Sequence, residues 1–188
     1  MTKLATVFAA IDAANAKDPT IESGEPAALL YGRRMTAELD LLNPDASAPL
    51  QIACRGQHIE RWMLPRSDYP MDRVGYLQWR KEQGRRHADR VVGIMADAGY
   101  DADAQDRARR MLTKQGIKQD NEVQTLEDTA CFTFIRWYLG DFSEDQPTDK
   151  LHDIVTKTAR KMSPQARARA LREFAMPPAL AQAFRDPV

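Results

Sequence analysis

The chain has 188 residues and sets 27 Lys and Arg against 27 Asp and Glu, so its formal net charge is zero although 29% of it is charged. That balance excludes a uniformly cationic nucleic-acid binder and an acidic disordered tail protein. Hydrophobic residues at 43% supply one core for a chain of ordinary domain length, and residues 1–188 read as a single domain.

Apolar residues recur at helical spacing almost throughout, and no stretch of four or more alternates as a half-buried strand, which predicts an all-α bundle of about eight to nine helices. The first runs from Thr2 to about Ala16 with Leu4, Val7, Phe8 and Ile11 on one face, and Asp18-Pro19 closes it. A polar loop with Ser23-Gly24 leads to a helix from about Pro26 to Leu42, which Asn43-Pro44 stops. A third helix is predicted from about Ala48 to Trp62, followed by a loop bracketed by Pro65 and Pro70. Helical segments from Arg73 to Gln83 and through His87 to Ala98 are separated at Gly84. Asp101 caps a helix to Lys114, closed by Gln115-Gly116. Val123 to Leu139 is the most apolar helix; Thr148 caps Asp149 to Met162, Ser163-Pro164 opens the next, and Pro177-Pro178 sets off a short tail helix. A core of about 26–140 with C-terminal helices 149–186 packed on it is expected.

Cys54 and Cys131 both lie in apolar segments, as buried thiols of a reducing compartment do. Asp12 and Lys17 follow the N-terminal apolar run too soon for a membrane span of about 20 apolar residues. No membrane and a cytoplasmic location are expected.

Three polar intrusions into otherwise apolar helices mark a candidate site. Continuing the third helix to Trp62 puts Arg55, His58 and Trp62 on one face, with Gln57 and Arg61 close by. His87 shares a stripe with Val91, Ile94, Met95 and Ala98. Glu127 and Asp128 interrupt the most apolar helix; one of them must lie near its buried face, where a carboxylate needs a cation, a histidine or a metal. Taken alone, each histidine reads more readily as a hydrogen-bonded core residue than as a ligand, and the carboxylate equally as a salt bridge to an arginine. Together, two imidazoles and a carboxylate are the ligand types of manganese, iron and zinc. His58, His87 and Asp128 are the candidate ligands, with Glu127 as a spare ligand or acid.

The segment from Arg61 to Arg80 interleaves Arg61, Arg66, Arg73 and Arg80 with Trp62, Tyr69, Tyr76 and Trp79. Arginine forks bind phosphate or carboxylate bidentately; the bland alternative is a packed connection whose arginines balance nearby acids. Charge is unevenly placed: Arg55 to Arg90 holds nine basic and five acidic residues, net +4, while Asp120 to Asp153 holds two basic and nine acidic, net −7. Motifs for nucleic-acid binding, nucleophilic triads, phosphate loops and dinucleotide binding are absent from the sequence, and a nucleic-acid partner is disfavoured.

Tyr31-Gly-Arg-Arg-Met, Gln57-His58-Ile59-x-Arg61-Trp62, Pro65-Arg66-Ser67-x-Tyr69-Pro70 and Gly75-Tyr76-Leu77-x-Trp79-Arg80 carry a resemblance to domain of unknown function family 4202. More distantly, the order of elements from Leu30 to Leu139 resembles the HD-domain superfamily of helical, metal-dependent phosphohydrolases and related oxygenases. Tyr31-Gly-Arg-Arg-Met stands where that superfamily has H-S-x-x-V, and Ile52 to Ile59 where it has A-A-x-x-H-D-I. Gln57 then takes the place of the His and His58 that of the Asp, while His87-Ala88 matches H-A and Asp128 the closing Asp. Tyr31 and Gln57 thus replace two of the four ligands.

Two functions follow as expectations. In the first, His58, His87 and Asp128 hold a divalent metal whose water attacks a small phosphate-bearing substrate, with Glu127 and Gln57 assisting; redox-active iron would suit oxygen chemistry instead. Arg34, Arg61, Arg66, Arg73 and Arg80 would anchor that substrate beside Tyr31, Trp62 and Tyr69. In the second, the scaffold binds a small anion without turnover. A homodimer is compatible with either.

Overall fold

The computed structural model describes residues 1–140 and 147–185; the part of the acidic stretch at 141–146 and the chain end at 186–188 lie outside the described residues. The protein is all-α, apart from a two-stranded antiparallel ladder of two residues per strand. The chain divides into two compact units, Met1–Gly116 and Ile117–Val188.

The first unit contains α1 (Lys3–Asn15), β1 (Ile21–Glu22), β2 (Glu25–Pro26), α2 (Ala27–Leu42), α3 (Ala48–Arg55), two short 3-10 turns (Arg61–Met63 and Arg66–Asp68), α4 (Arg73–Asp97) and α5 (Ala102–Leu112). α3 packs against α1, α2 and α5, and α4 against α1 and α5. Burial of Val7, Ile11, Met35, Leu39, Leu50, Ile52, Val91, Met95 and Met111 forms the core, the dominant favourable term of such a fold. The helix ends are capped as their sequences dictate. The Thr2 hydroxyl accepts from Ala5 N, that of Ser47 from Leu50 N, and the Asp101 carboxylate from Ala104 N. Asp18, read as a stop after α1, does more: its two carboxylate oxygens accept from Thr20 N and Ala28 N, each at 2.9 Å, which caps the entry to α2.

Three sequence expectations are corrected in this unit. The ladder β1–β2 was not expected; Ser23 at φ 51° and Gly24 at φ 82° make a turn that pairs two short polar segments with too few residues to show alternation. α3 ends at Arg55, not Trp62: the chain leaves the helix at Gly56, and Glu60 takes a left-handed conformation at φ 52°. Arg55, His58 and Trp62 therefore do not share a helix face. Arg55 reaches the other way, donating Nε and Nη2 to the Asp12 carboxylate at 2.8 and 2.7 Å and Nη1 to the Thr36 hydroxyl at 3.2 Å. Third, the predicted break at Gly84 does not occur. α4 is one helix of 25 residues, and the missing side chain serves a close approach, since a Cβ there would lie 3.3 Å from the Leu112 carbonyl oxygen at the end of α5.

The second unit contains α6 (Asn121–Trp137), α7 (Thr148–Lys161), α8 (Pro164–Glu173) and α9 (Pro178–Arg185). α7 packs on α6, and α9 on α7 and α8, around Val123, Leu126, Phe132, Val155, Met162 and Phe184. Asp120 caps α6 and Ser163 caps α8, with Pro164 at its first position. α7 starts at Thr148 itself, with Pro147 in the capping position assigned to Thr148 by sequence. Cys54 and Cys131 are buried free thiols, as their surroundings predict.

The loop between the 3-10 turns and α4 is clamped. Arg66 donates to the carbonyls of Tyr69, Pro70 and Asp72 at 3.0, 2.6 and 3.2 Å. Asp72 caps α4 through Gly75 N at 2.7 Å. A Cβ on Gly75 would sit 2.1 Å from the Pro70 carbonyl oxygen, a backbone atom with no rotamer to yield. Gly75→Ala is therefore expected to lower stability by about 1–3 kcal/mol in urea unfolding, with release of the Arg66 clamp visible as faster proteolysis between 65 and 72.

Candidate functional site

The site grows from one stripe of α4. Trp79, Gln83 and His87 are spaced i, i+4, i+8, all buried, and all three turn toward the chain between α3 and α4. Trp79 Nε1 donates to the Leu64 carbonyl at 2.9 Å. Gln83 Nε2 donates to the carbonyls of Arg61 and Leu64 at 2.9 and 3.0 Å. His87 Nδ1 lies 2.8 Å from the Ile59 carbonyl oxygen. From the opposite side buried Asn15 of α1 accepts from Glu60 N at 3.0 Å, holding the left-handed residue in place. A segment with little regular structure is thus fixed by four buried polar side chains, and His58 and Arg61 are carried on it.

His58 is partly buried. Its ring stacks on that of Tyr31 from α2, with centroids 4.0 Å apart and planes 15° from parallel, and lies 6.1 Å from the ring of His87. The Tyr31 hydroxyl reaches the Gln57 amide oxygen at 3.3 Å. The structure brings together Tyr31, Gln57, His58, Arg61 and His87 of the residues selected from sequence.

Arg61 is the unusual member. Its guanidinium rides over the Trp79 ring at 4.6 Å from the centroid, is partly buried, and among the described residues meets no carboxylate and no hydrogen-bond acceptor. Arg33, Arg34, Arg55, Arg85, Arg90 and Arg109 in the same unit all pair with acids. Arg80 is exposed, with its guanidinium 5.8 Å from the Tyr76 ring centroid. Burial pushes the pKa of Arg61 down, as does the neighbouring Arg80.

The histidines register the same field. Burial, then the charges of Arg61, His87, Lys114 and Arg80, holds the His58 pKa well below 6.5. Burial, then Arg61, lowers that of His87 to about 4, against the opposing pull of the Ile59 carbonyl. Both rings are therefore neutral at pH 7. His87 also lines a cleft of about 340 Å³ with Ile59, Glu60, Gln83, Arg86, Asp89 and Arg90.

The other selected residues have different occupations. Arg34 pairs with Glu22, Arg66 clamps its own loop, and Tyr69 supplies that loop a carbonyl. Arg73 is exposed at the start of α4, and Trp62 is partly buried in the first 3-10 turn. Glu127 and Asp128 belong to the second unit. Buried Asp128 accepts from Ser163 N at 2.8 Å, Ser163 Oγ at 2.7 Å and Gln124 Nε2 at 3.0 Å, so it ties α6 to the start of α8. Burial raises its pKa, and the hydrogen bonds from Ser163 and Gln124 oppose that shift. Buried Glu127 lies 4.0 Å from Lys161.

His87 has the arrangement of a metal-binding imidazole, one nitrogen fixed by a carbonyl and the other bare. Arg61 and Arg86 act on it, its cleft carries Glu60 and Asp89 beside Arg86 and Arg90, and the Asp128 carboxylate is engaged by Ser163 at the start of α8. Among the described residues no group of three or more His, Cys, Asp or Glu side chains is placed to hold a metal ion.

An all-helical unit with a cationic, aromatic-walled site is the class that the geometry defines. The chain belongs to the family described as Domain of unknown function (DUF4202), whose model matches residues 5–183. No curated protein and no solved structure matches it. Among the described residues no helix is long and apolar enough to cross a membrane.

Proposed function

We propose that the first unit is a binding module for a small oxyanion of the phosphate class, working in the cytoplasm and without turnover by a bound metal. The observation that carries this reading is Arg61, a partly buried guanidinium whose donors have no acceptor among the described residues. A buried cation without a partner costs stability, and an anion held by its fork returns that cost as affinity. The Trp79 ring covers the guanidinium from one side, 4.6 Å from Cζ to the ring centroid. The charges of Arg80 and Lys114 add to that of Arg61 at His58, favouring an anion further.

Neutral His58 and His87 contribute polar ring nitrogens with no added charge, and Tyr31 fixes the His58 ring by stacking. The opposing reading, a metal-dependent hydrolase built on His58, His87 and Asp128 with Glu127 and Gln57 assisting, rests on the fixed Nδ1 of His87.

Thermal unfolding with added phosphate separates the two. Ligand at about 100 times its Kd stabilises the native state by about 2.7 kcal/mol, so the module predicts a saturable rise in Tm that is unchanged by chelator. A rise that appears only when manganese or zinc is added with the phosphate supports the hydrolase and refutes the module.

A further inference from the structure

Resting on the anion site described above, we infer that the oxyanion it takes is one that keeps a proton, hydrogen phosphate being the simplest, because His87 offers a buried acceptor that only a hydroxyl-bearing anion can use. A backbone carbonyl can only accept, so the 2.8 Å contact with Ile59 puts the ring hydrogen of His87 on Nδ1. Nε2 is then a bare lone pair. It is buried, on a side chain only 4% exposed, and has no hydrogen-bond partner among the described residues. Natural folds rarely leave such an atom unsatisfied unless something else fills its place.

The cleft that His87 lines carries Glu60 and Asp89 as well as Arg86 and Arg90, and the charges that act on the ring are those of Arg61 and Arg86. Arg61 disfavours charge on His87, as Arg86 does, and Arg86, which pairs with no carboxylate among the described residues, lines the cleft with His87. Guanidinium groups are donors only. They recognise sulfate and phosphate alike and cannot tell an oxyanion with a hydroxyl from one without. His87 supplies that distinction. A dianion bare of hydrogen would set its oxygen lone pairs against Nε2, whereas hydrogen phosphate places its P–OH there and its remaining oxygens on the arginines. The ring stays neutral because it is buried beside Arg61, so a second N–H, which would erase the preference, does not form at pH 7.

Three dianions of similar size and equal charge test this by isothermal titration into the full chain at about pH 7.5, where phosphate is mainly its dianion: hydrogen phosphate, sulfate and monofluorophosphate. The last replaces the hydroxyl with fluorine. Hydrogen phosphate is expected to bind about tenfold tighter or more than either of the others, the scale of an unsatisfied buried acceptor. Equal affinity for all three overturns the selection and leaves the anion site standing. No saturable binding of any of them overturns both. In His87→Met, the advantage of phosphate over sulfate is expected to disappear; an unchanged ratio of the two affinities overturns the assignment. The comparison in the unsubstituted protein decides the matter if that variant does not fold.

Discussion

Acidification from pH 6.5 to about 4.5 destabilises the first unit, by up to about 1.4 kcal/mol per pH unit for each of His58 and His87. The sign follows from the direction of the two shifts. Both pKa values are depressed in the folded state, His87 to about 4 and His58 well below 6.5, burial being the first cause and Arg61 the second. Above pH 6.5 both states hold neutral rings and nothing is lost. Below it the unfolded chain takes up protons that the folded chain refuses, and stability falls until His87 titrates near 4. Glu82, whose carboxyl is held low chiefly by its hydrogen bond with Arg85, loses its contribution only at lower pH and does not blur the upper part of the window. Urea midpoints between pH 7.5 and 4.5 measure the slope. The chain has three histidines, so ring proton NMR can follow each; a His87 resonance that titrates near 6.5 with no change in urea midpoint contradicts the account.

Removing Arg61 abolishes anion binding without unfolding the protein. Truncating a charged partner at a desolvated contact costs about 2–5 kcal/mol, some 30-fold to several thousand-fold in Kd. Arg61→Ala is expected to fall in that range for phosphate while Tm in phosphate-free buffer holds or rises. The lost charge has no carboxylate or hydrogen-bond acceptor among the described residues, and the relief of its burial offsets the lost contact with the Trp79 ring. Arg55→Ala is the contrast. Its guanidinium is committed to Asp12 and Thr36 across three helices, so its loss leaves a half-buried carboxylate uncompensated and lowers Tm. Phosphate affinity in the two variants, each referred to its own Tm, distinguishes a binding arginine from a structural one. An Arg61→Ala protein that binds phosphate as tightly as the parent removes the basis of the proposal.

Helical periodicity, caps and proline stops placed nearly every helix, because those signals are local. Asp101, Ser163-Pro164 and the apolar run of α6 are each readable within one turn of chain. The failures have a common origin. The chain leaves α3 at Gly56, a glycine at ordinary negative φ that apolar periodicity runs straight through. Glu60 then turns left-handed without a glycine, so sequence carries α3 past its end and sets His58 on a helix face. Gly84 looked like a stop and instead admits the end of α5, which hid the stripe of Trp79, Gln83 and His87 by splitting the helix that bears it.

Within the site, His58, His87 and Arg61 were visible as polar residues in apolar or aromatic company. What they do was not. Asp128 answers to Ser163, 35 residues away, and no spacing rule anticipates that pairing. That Arg61 meets no carboxylate among the described residues, while Arg55 and Arg34 have one, depends on which acids the fold brings near, since the stretch from Arg55 to Arg90 offers five. The uneven charge along the chain located the basic region; only the structure separates its paired arginines from its unpaired ones.

Isothermal titration of phosphate into the chelator-treated protein tests the central claim most directly. The account predicts saturable binding at one site per chain, retained without metal and lost in Arg61→Ala. Phosphate that fails to bind until a divalent metal is restored, or that binds equally well without Arg61, contradicts it.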